Sequence, residues 1–148
     1  MRAVVTRVTE ASVSIGGEVR GQIGQGFLVL LGVAPQDTEA QAKRLADKIC
    51  ALRVFSDEEE RMNRNLASVG GEILVVSQFT LFANCKKGNR PSFVKAAGPD
   101  VAIPMSERFM ELCREHGFHV EHGEFGAIMQ VASVNDGPVT IVMDTDEL

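Results

Sequence analysis

At 148 residues with 45% hydrophobic content, the chain is the size of one domain and long enough to bury a core without disulfide or metal staples. A net charge of -5 excludes a protein whose whole surface grips nucleic acid, and no run approaches the roughly 18 uncharged apolar residues that span a bilayer. Arg2 and Arg7 interrupt the first segment, which has no cleavable hydrophobic stretch, and Cys50, Cys85 and Cys113 lack the paired short spacing of a zinc site. Free thiols, a reducing compartment and a cytoplasmic protein away from membranes are therefore expected.

The first third of the chain reads as strands and a helix. Arg2 to Ile15 is rich in Val, Thr and Ala, Gly16-Gly17 supplies a two-residue hairpin turn, and Glu18 to Gln22 returns from it. Phe27 to Leu31 is apolar throughout, which predicts a strand covered on both faces. Asp37 or Thr38 can cap a following helix, with Gln41 completing a capping box after Thr38. Ala42, Leu45, Ala46, Ile49 and Leu52 then fall on one stripe at helical spacing.

After an acidic connection, Ile73 to Val76 predicts a buried strand that passes without a break into Ser77-Gln78-Phe79-Thr80. Polar groups at the end of such a strand are where open sheets commonly place ligands. The same residues also suit a turn cap with Phe79 in the core. Between Asn84 and Gly98 the chain carries Lys86, Lys87, Arg90 and Lys95 and no acid, a segment suited to a phosphate backbone or to a solvated loop.

A second helix is predicted from near Pro104 to near Gly117, burying Met105, Phe109, Leu112 and Cys113. His116, His119 and His122 follow at a spacing that is no specific metal motif and fits a solvent-facing strand edge. Two last strands, about Ala127 to Val134 and Val139 to Met143, flank Asn135-Asp136-Gly137-Pro138. Asp-Gly suits a type I′ hairpin turn, but Pro138 removes a ladder N–H where the returning strand should begin, so either an edge-strand proline or a cis Gly137-Pro138 bond is expected. The whole reads as one α/β or α+β domain with a mostly antiparallel or mixed sheet and two main helices.

Three motifs together carry a resemblance. Ser77-Gln78-Phe79-Thr80-Leu81, Lys87-Gly88-Asn89-Arg90-Pro91-Ser92-Phe93 and Asn135-Asp136-Gly137-Pro138-Val139-Thr140 closely resemble the D-aminoacyl-tRNA deacylase family, as does the opening Met1 to Val5 with Arg7-Val8 and Ala11-Ser12-Val13. The likeness spans essentially the whole chain; Phe82 departs from it, where many relatives carry Tyr.

The resemblance implies a homodimer with a barrel-like core, its active site at the subunit interface. It would hydrolyse the ester joining a D-amino acid, or glycine misplaced on an alanine tRNA, to the terminal adenosine. No cofactor and no metal are implied. Ser77, Gln78, Phe79 and Thr80 would line the pocket floor. Gly137-Pro138, in cis and followed by Val139 and Thr140, would enter the partner's pocket and screen chirality with its carbonyl oxygens, held by Arg7. Phe125, Gly126 and Met129 would bracket the adenine, and Lys86, Lys87 and Arg90 the tRNA backbone.

The chemistry stays open between Thr80 as nucleophile and attack by water, helped by the ribose 2′-hydroxyl, on a carbonyl polarised by the Phe79 and Thr80 amides. A nucleic-acid-binding module without turnover and a dimeric structural protein are the alternatives.

Overall fold

The computed structural model describes residues 1–148. β1 (Arg2–Ile15) and β2 (Glu18–Ile23) form the expected antiparallel hairpin, with Gly16 and Gly17 at φ +57° and +84°, the positive pair such a turn requires. There follow β3 (Gly26–Gly32), α1 (Glu39–Ala51), a short hairpin of β4 (Phe55–Ser56) and β5 (Met62–Arg64), β6 (Glu72–Ser77), α2 (Pro99–Glu115), β7 (Val120–His122) and β8 (Gln130–Asp144). No helix is long and apolar enough to cross a membrane.

The main sheet runs β2-β1-β3-β6-β7, with β8 on the other side of β1. β1 pairs antiparallel with β2, β3 and β8, whereas β6 is parallel to both β3 and β7, so the sheet is mixed. The sheet curls until β7 meets β2: a Cβ on Gly21 would stand 2.8 Å from the His122 carbonyl oxygen, and only glycine permits that approach. Inside this near-barrel pack Val8, Val13, Ile23, Leu28, Leu74 and Val76.

Its outer face carries Phe27, Val29, Leu31, Ile73 and Val75 against Leu45 and Ile49 of α1 and Phe109 of α2. Alternate residues of β3 and β6 thus enter two different cores, which is why both strands are unbroken apolar runs. α1 begins where expected: the Thr38 amide and hydroxyl both donate to Gln41 Oε1, at 2.8 and 2.7 Å.

Two sequence expectations need correction. α2 starts at Pro99, not near Pro104; Pro99 takes the first-turn position after Gly98, and Pro104 lies inside the helix. Pro104 and Asp100 are exposed, so the carbonyl left without its helical donor faces water.

The hairpin at residues 135–138 is absent. β8 is one edge strand, paired along its length with β1. Thr6 faces Thr140 and Val8 faces Asn135, so the single residue Arg7 stands opposite Asp136, Gly137, Pro138 and Val139. A proline without an N–H cannot ladder there, and the surplus residues bulge out of the sheet while both flanks stay paired to β1.

Candidate active site

Ser77 ends β6 opposite Leu31, and the Gln78 amide continues the ladder by donating to the Leu31 carbonyl at 2.7 Å. Gln78 then leaves the strand at φ -141°, ψ 79°, and Phe79–Phe82 form a single 3-10 turn. Leu81 N–H bonds the Gln78 carbonyl at 3.2 Å and Ala83 N–H bonds that of Thr80 at 3.1 Å. The amides of Phe79 and Thr80, first in the turn, find no acceptor in the chain, and both residues are exposed. The side-chain amide of Gln78 donates to the Thr80 hydroxyl. No base reaches that hydroxyl.

The turn is clamped from behind. Arg2 Nη1 donates to the Leu81 carbonyl at 3.1 Å, and the guanidinium lies 4.6 Å from the centroid of the buried Phe82 ring. Arg2 Nε donates to Asp144 at 2.8 Å. Burial opposes the charge on Asp144, but Arg2 and the Asp146 amide outweigh it and hold the carboxyl below the usual carboxylate range. The link therefore contributes at neutral pH and is lost as pH falls through that lowered value. The Phe82 ring meets this cation with its face, a contact that needs no tyrosine hydroxyl.

The basic loop is tied to the turn. Asn84 and Ser92 exchange backbone hydrogen bonds of 2.8 and 2.9 Å, closing the loop between them, and Phe93 meets Phe79 edge to face with centroids 5.1 Å apart. Lys86, Lys87 and Arg90 are exposed and form no ion pair with the protein's own acids. On the α2 side of Ser77 opens a cavity of about 550 Å³ that Phe125 also lines. Gly126, at φ +78°, turns the chain beside it. Met129 does not line it: its sulfur sits beneath Gly123 and its side chain packs on the near-barrel core.

The bulge is built around Arg7, only 9% exposed. Its Nε donates to the Asp136 carbonyl at 2.9 Å and its Nη1 to the Val54 carbonyl at 2.5 Å. Asn135 closes the bulge internally, accepting from Val139 N–H and donating to the Thr140 hydroxyl, each at 2.9 Å. Gly137 has φ +137°, and a Cβ there would meet Val139 Cγ2 at 2.8 Å and Arg7 Nη2 at 3.0 Å. The Gly137-Pro138 bond is cis, and both residues are exposed while Val139 is buried.

One chain does not bring the bulge to the 77–80 turn. Arg7 pairs with Phe27, which pairs with Ile73, four residues before Ser77. Three strand spacings across the sheet and four residues along β6 put the two elements on the order of 20 Å apart.

Residues 4–144 match the family model described as D-Tyr-tRNA(Tyr) deacylase. The chain belongs to the D-Tyr-tRNA(Tyr) deacylase family. Among curated relatives, a D-aminoacyl-tRNA deacylase of Thermus aquaticus is 56% identical, covering 99% of this chain and 97% of the relative. One from Exiguobacterium sibiricum is 58% identical, covering 97% of this chain and 99% of the relative. Of solved structures, "c-Myc DNA Unwinding Element Binding Protein" superposes with TM-score 0.90 at 42% identity, covering 97% of this chain and 98% of that one. A probable eukaryotic D-amino acid tRNA deacylase superposes with TM-score 0.81 at 16% identity over 96% of this chain and 97% of its own, a likeness of fold. Membership makes the chain an enzyme, a hydrolase of the aminoacyl-tRNA ester, and sets aside the reading as a binding module without turnover.

Within this deacylase the histidines are surface groups. His116 bonds Asp47 at 2.8 Å, His119 lies 2.8 Å from Glu121, and His122 Nδ1 is 2.6 Å from the Gly123 carbonyl oxygen. None is hydrogen-bonded to the 77–80 turn. Cys50, Cys85 and Cys113 are all free. A hydrogen bond with Cys50, together with burial, pushes the Cys113 thiol far above its ordinary value. It is therefore a packing group, not a nucleophile. Arg2 is the site residue that sequence reasoning missed; its signal is no more than a cation at the head of a strand that carries a second one, Arg7, and the acid Glu10.

Proposed function

We propose that this chain hydrolyses the ester of D-aminoacyl-tRNA, and of glycine misplaced on an alanine tRNA, at sites completed by two copies of the chain. The observation that carries the chemistry is the pair of unpartnered amides on Phe79 and Thr80 beside a hydroxyl that has no base. These donors suit the oxygen of an ester carbonyl, whose negative charge grows as water adds to the carbon. The bond to the ribose oxygen then breaks, the terminal adenosine leaves with its hydroxyl restored, and the amino acid leaves as a carboxylate. The neighbouring 2′-hydroxyl of the substrate helps to activate water, so no protein base is required.

The screen is the bulge. Its tip is exposed, it is fixed by Arg7, and it lies on an edge strand carrying the exposed Val131, Val134 and Val142, a surface suited to a second copy. Presented to the partner's 77–80 turn, the tip's carbonyl oxygens would hold the substrate amino group and leave no room for an L side chain. A wall of polar backbone rejects by overlap and by leaving polar atoms unpaired. Glycine has no side chain to reject. Lys86, Lys87 and Arg90 would hold phosphates of the acceptor end, where charged tRNAs occur in the cytoplasm.

A deacylation time course on matched D- and L-tyrosyl-tRNA tests this. The D form alone is expected to be released over many turnovers. Equal hydrolysis of both would remove the screen, and binding without hydrolysis would remove the reaction. Thr80→Ala is expected to keep substantial activity, because the amide and not the hydroxyl does the work; a loss as complete as omitting the enzyme would favour covalent catalysis.

A further inference from the structure

The turn that carries the free amides has little to hold it in shape by itself. Phe79–Phe82 is one cycle of 3-10 helix, and an isolated turn of that length does not persist in water. Its place is set from outside. The Gln78 amide is fastened to the Leu31 carbonyl at 2.7 Å, the Phe82 ring is buried, and the Leu81 carbonyl is held by Arg2. Beneath the turn lies Gly32, where a Cβ would stand 3.0 Å from a ring carbon of Phe82 and 3.2 Å from both the Gln78 carbonyl oxygen and Leu81 Cβ. The floor is close enough to set the height of the turn, and the fastenings set its direction.

Arg2 serves two of those fastenings. In the sheet it stands between Gly32 of β3 and Asp144 of β8. Its Nε is spent on Asp144, which leaves Nη1 for the Leu81 carbonyl and the face of the guanidinium for the Phe82 ring. The side chain is 42% exposed, so the ion pair contributes little to stability. Water can replace the guanidinium at the Leu81 carbonyl, but water fixes no direction. Geometry is what the cation supplies.

We propose that Arg2 is a positioning residue for hydrolysis. By holding the far end of the turn it aims the Phe79 and Thr80 amides at the place where the ester oxygen gains charge, a role that rests on the deacylase reading. Donors of this kind act by being fixed before the reaction, so a small swing costs rate rather than binding. Asp144 belongs to the same device because it fixes the guanidinium.

The test uses the full-length enzyme with Arg2→Met, which keeps the length of the stem without charge or donors, and Arg2→Lys, which keeps the charge. Their kcat and KM on D-tyrosyl-tRNA are measured where chemistry is slow, so that KM reports binding. Arg2→Met is expected to lower kcat about tenfold with KM unchanged, less than the 10²-fold that a displacement on the order of 1 Å costs, because Gln78 and Phe82 still hold. Arg2→Lys should recover part of that loss. In a Phe79→Pro background, where one of the two amides is already gone, Arg2→Met should cost clearly less than tenfold. The denaturant midpoint should barely move. A raised KM with kcat intact would make Arg2 a phosphate contact instead, and an equal loss in both backgrounds, or one that follows a lowered midpoint, would also overturn the proposal. Amide signals of Phe79 and Thr80 in isotope-labelled protein should shift in Arg2→Met, and this readout needs no turnover. Unmoved signals would remove the positioning role with the activity intact, whereas a wild-type enzyme that turns nothing over would remove the deacylase reading.

Discussion

Arg7→Ala is expected to lower kcat/KM on D-tyrosyl-tRNA by about 10²-fold, because a displacement on the order of 1 Å of a substrate-positioning group costs that much. It should also destabilise the fold by roughly 2–4 kcal/mol. The side chain is nearly buried and bridges two carbonyl oxygens, those of Asp136 and Val54, which come from elements far apart in the chain. Alanine leaves both acceptors without their donor and opens a gap beside Gly137, whose position the guanidinium limits. The carboxylate of Asp136, 3.5 Å away and two-fifths exposed, adds little. Arg7→Lys keeps the charge but loses the planar fork, so it should fall between the two. Denaturant midpoints read the stability, and the ratio of D to L hydrolysis reads the screen; a variant with both unchanged would show that the bulge holds itself.

What could be read in advance followed the range of the interaction that decides it. The Thr38 and Gln41 cap, the hairpin at Gly16-Gly17 and the twice-covered β3 are settled by neighbours in sequence, and all three stand as expected. The start of α2 was misplaced because two prolines, Pro99 and Pro104, each suit a first turn, and only exposure allows the second to sit inside the helix. The supposed hairpin failed for a different reason. Asp136-Gly137 is a turn by local chemistry, yet both flanks find their partners on β1, about 130 residues away, and that pairing converts the turn into a bulge opposite Arg7.

The site divides in the same way. The strand-to-turn change at Ser77 is visible in four letters, while the Arg2 clamp and the Val54 acceptor are products of tertiary packing. Met129, which the resemblance assigns to the adenine, is partly buried, with its sulfur under Gly123 and its side chain against the near-barrel core. The acidic hairpin of β4 and β5 escaped notice because two and three residues carry no period; the Asp57 carboxylate organises it by accepting from the amides of Glu59 and Arg61.

Two crippled chains should work together where neither works alone. Phe79→Pro removes one of the two free amides at the first position of its turn, where proline's fixed φ is tolerated, and is expected to cost about 10²–10³ in kcat. Phe79→Ala, which keeps the amide and loses only the contact with Phe93, is its control. Gly137→Ala forces a Cβ against Val139 Cγ2 and Arg7 Nη2 at φ +137°, a backbone state worth roughly 1–3 kcal/mol of strain for an L residue, and deforms the tip. In a two-fold dimer whose sites each take the 77–80 turn from one chain and the bulge from the other, a mixed dimer contains one doubly damaged site and one intact site. Random pairing of equal amounts makes about half the dimers mixed, so about a quarter of wild-type activity should return. Co-expression with two different tags, followed by tandem purification, isolates the mixed dimers alone, which should show about half of wild-type activity on D-tyrosyl-tRNA. If each site lay within one chain, the mixed dimer would be as inactive as its parents, and the roughly 20 Å between bulge and turn would have to be closed by movement within the chain rather than by a partner.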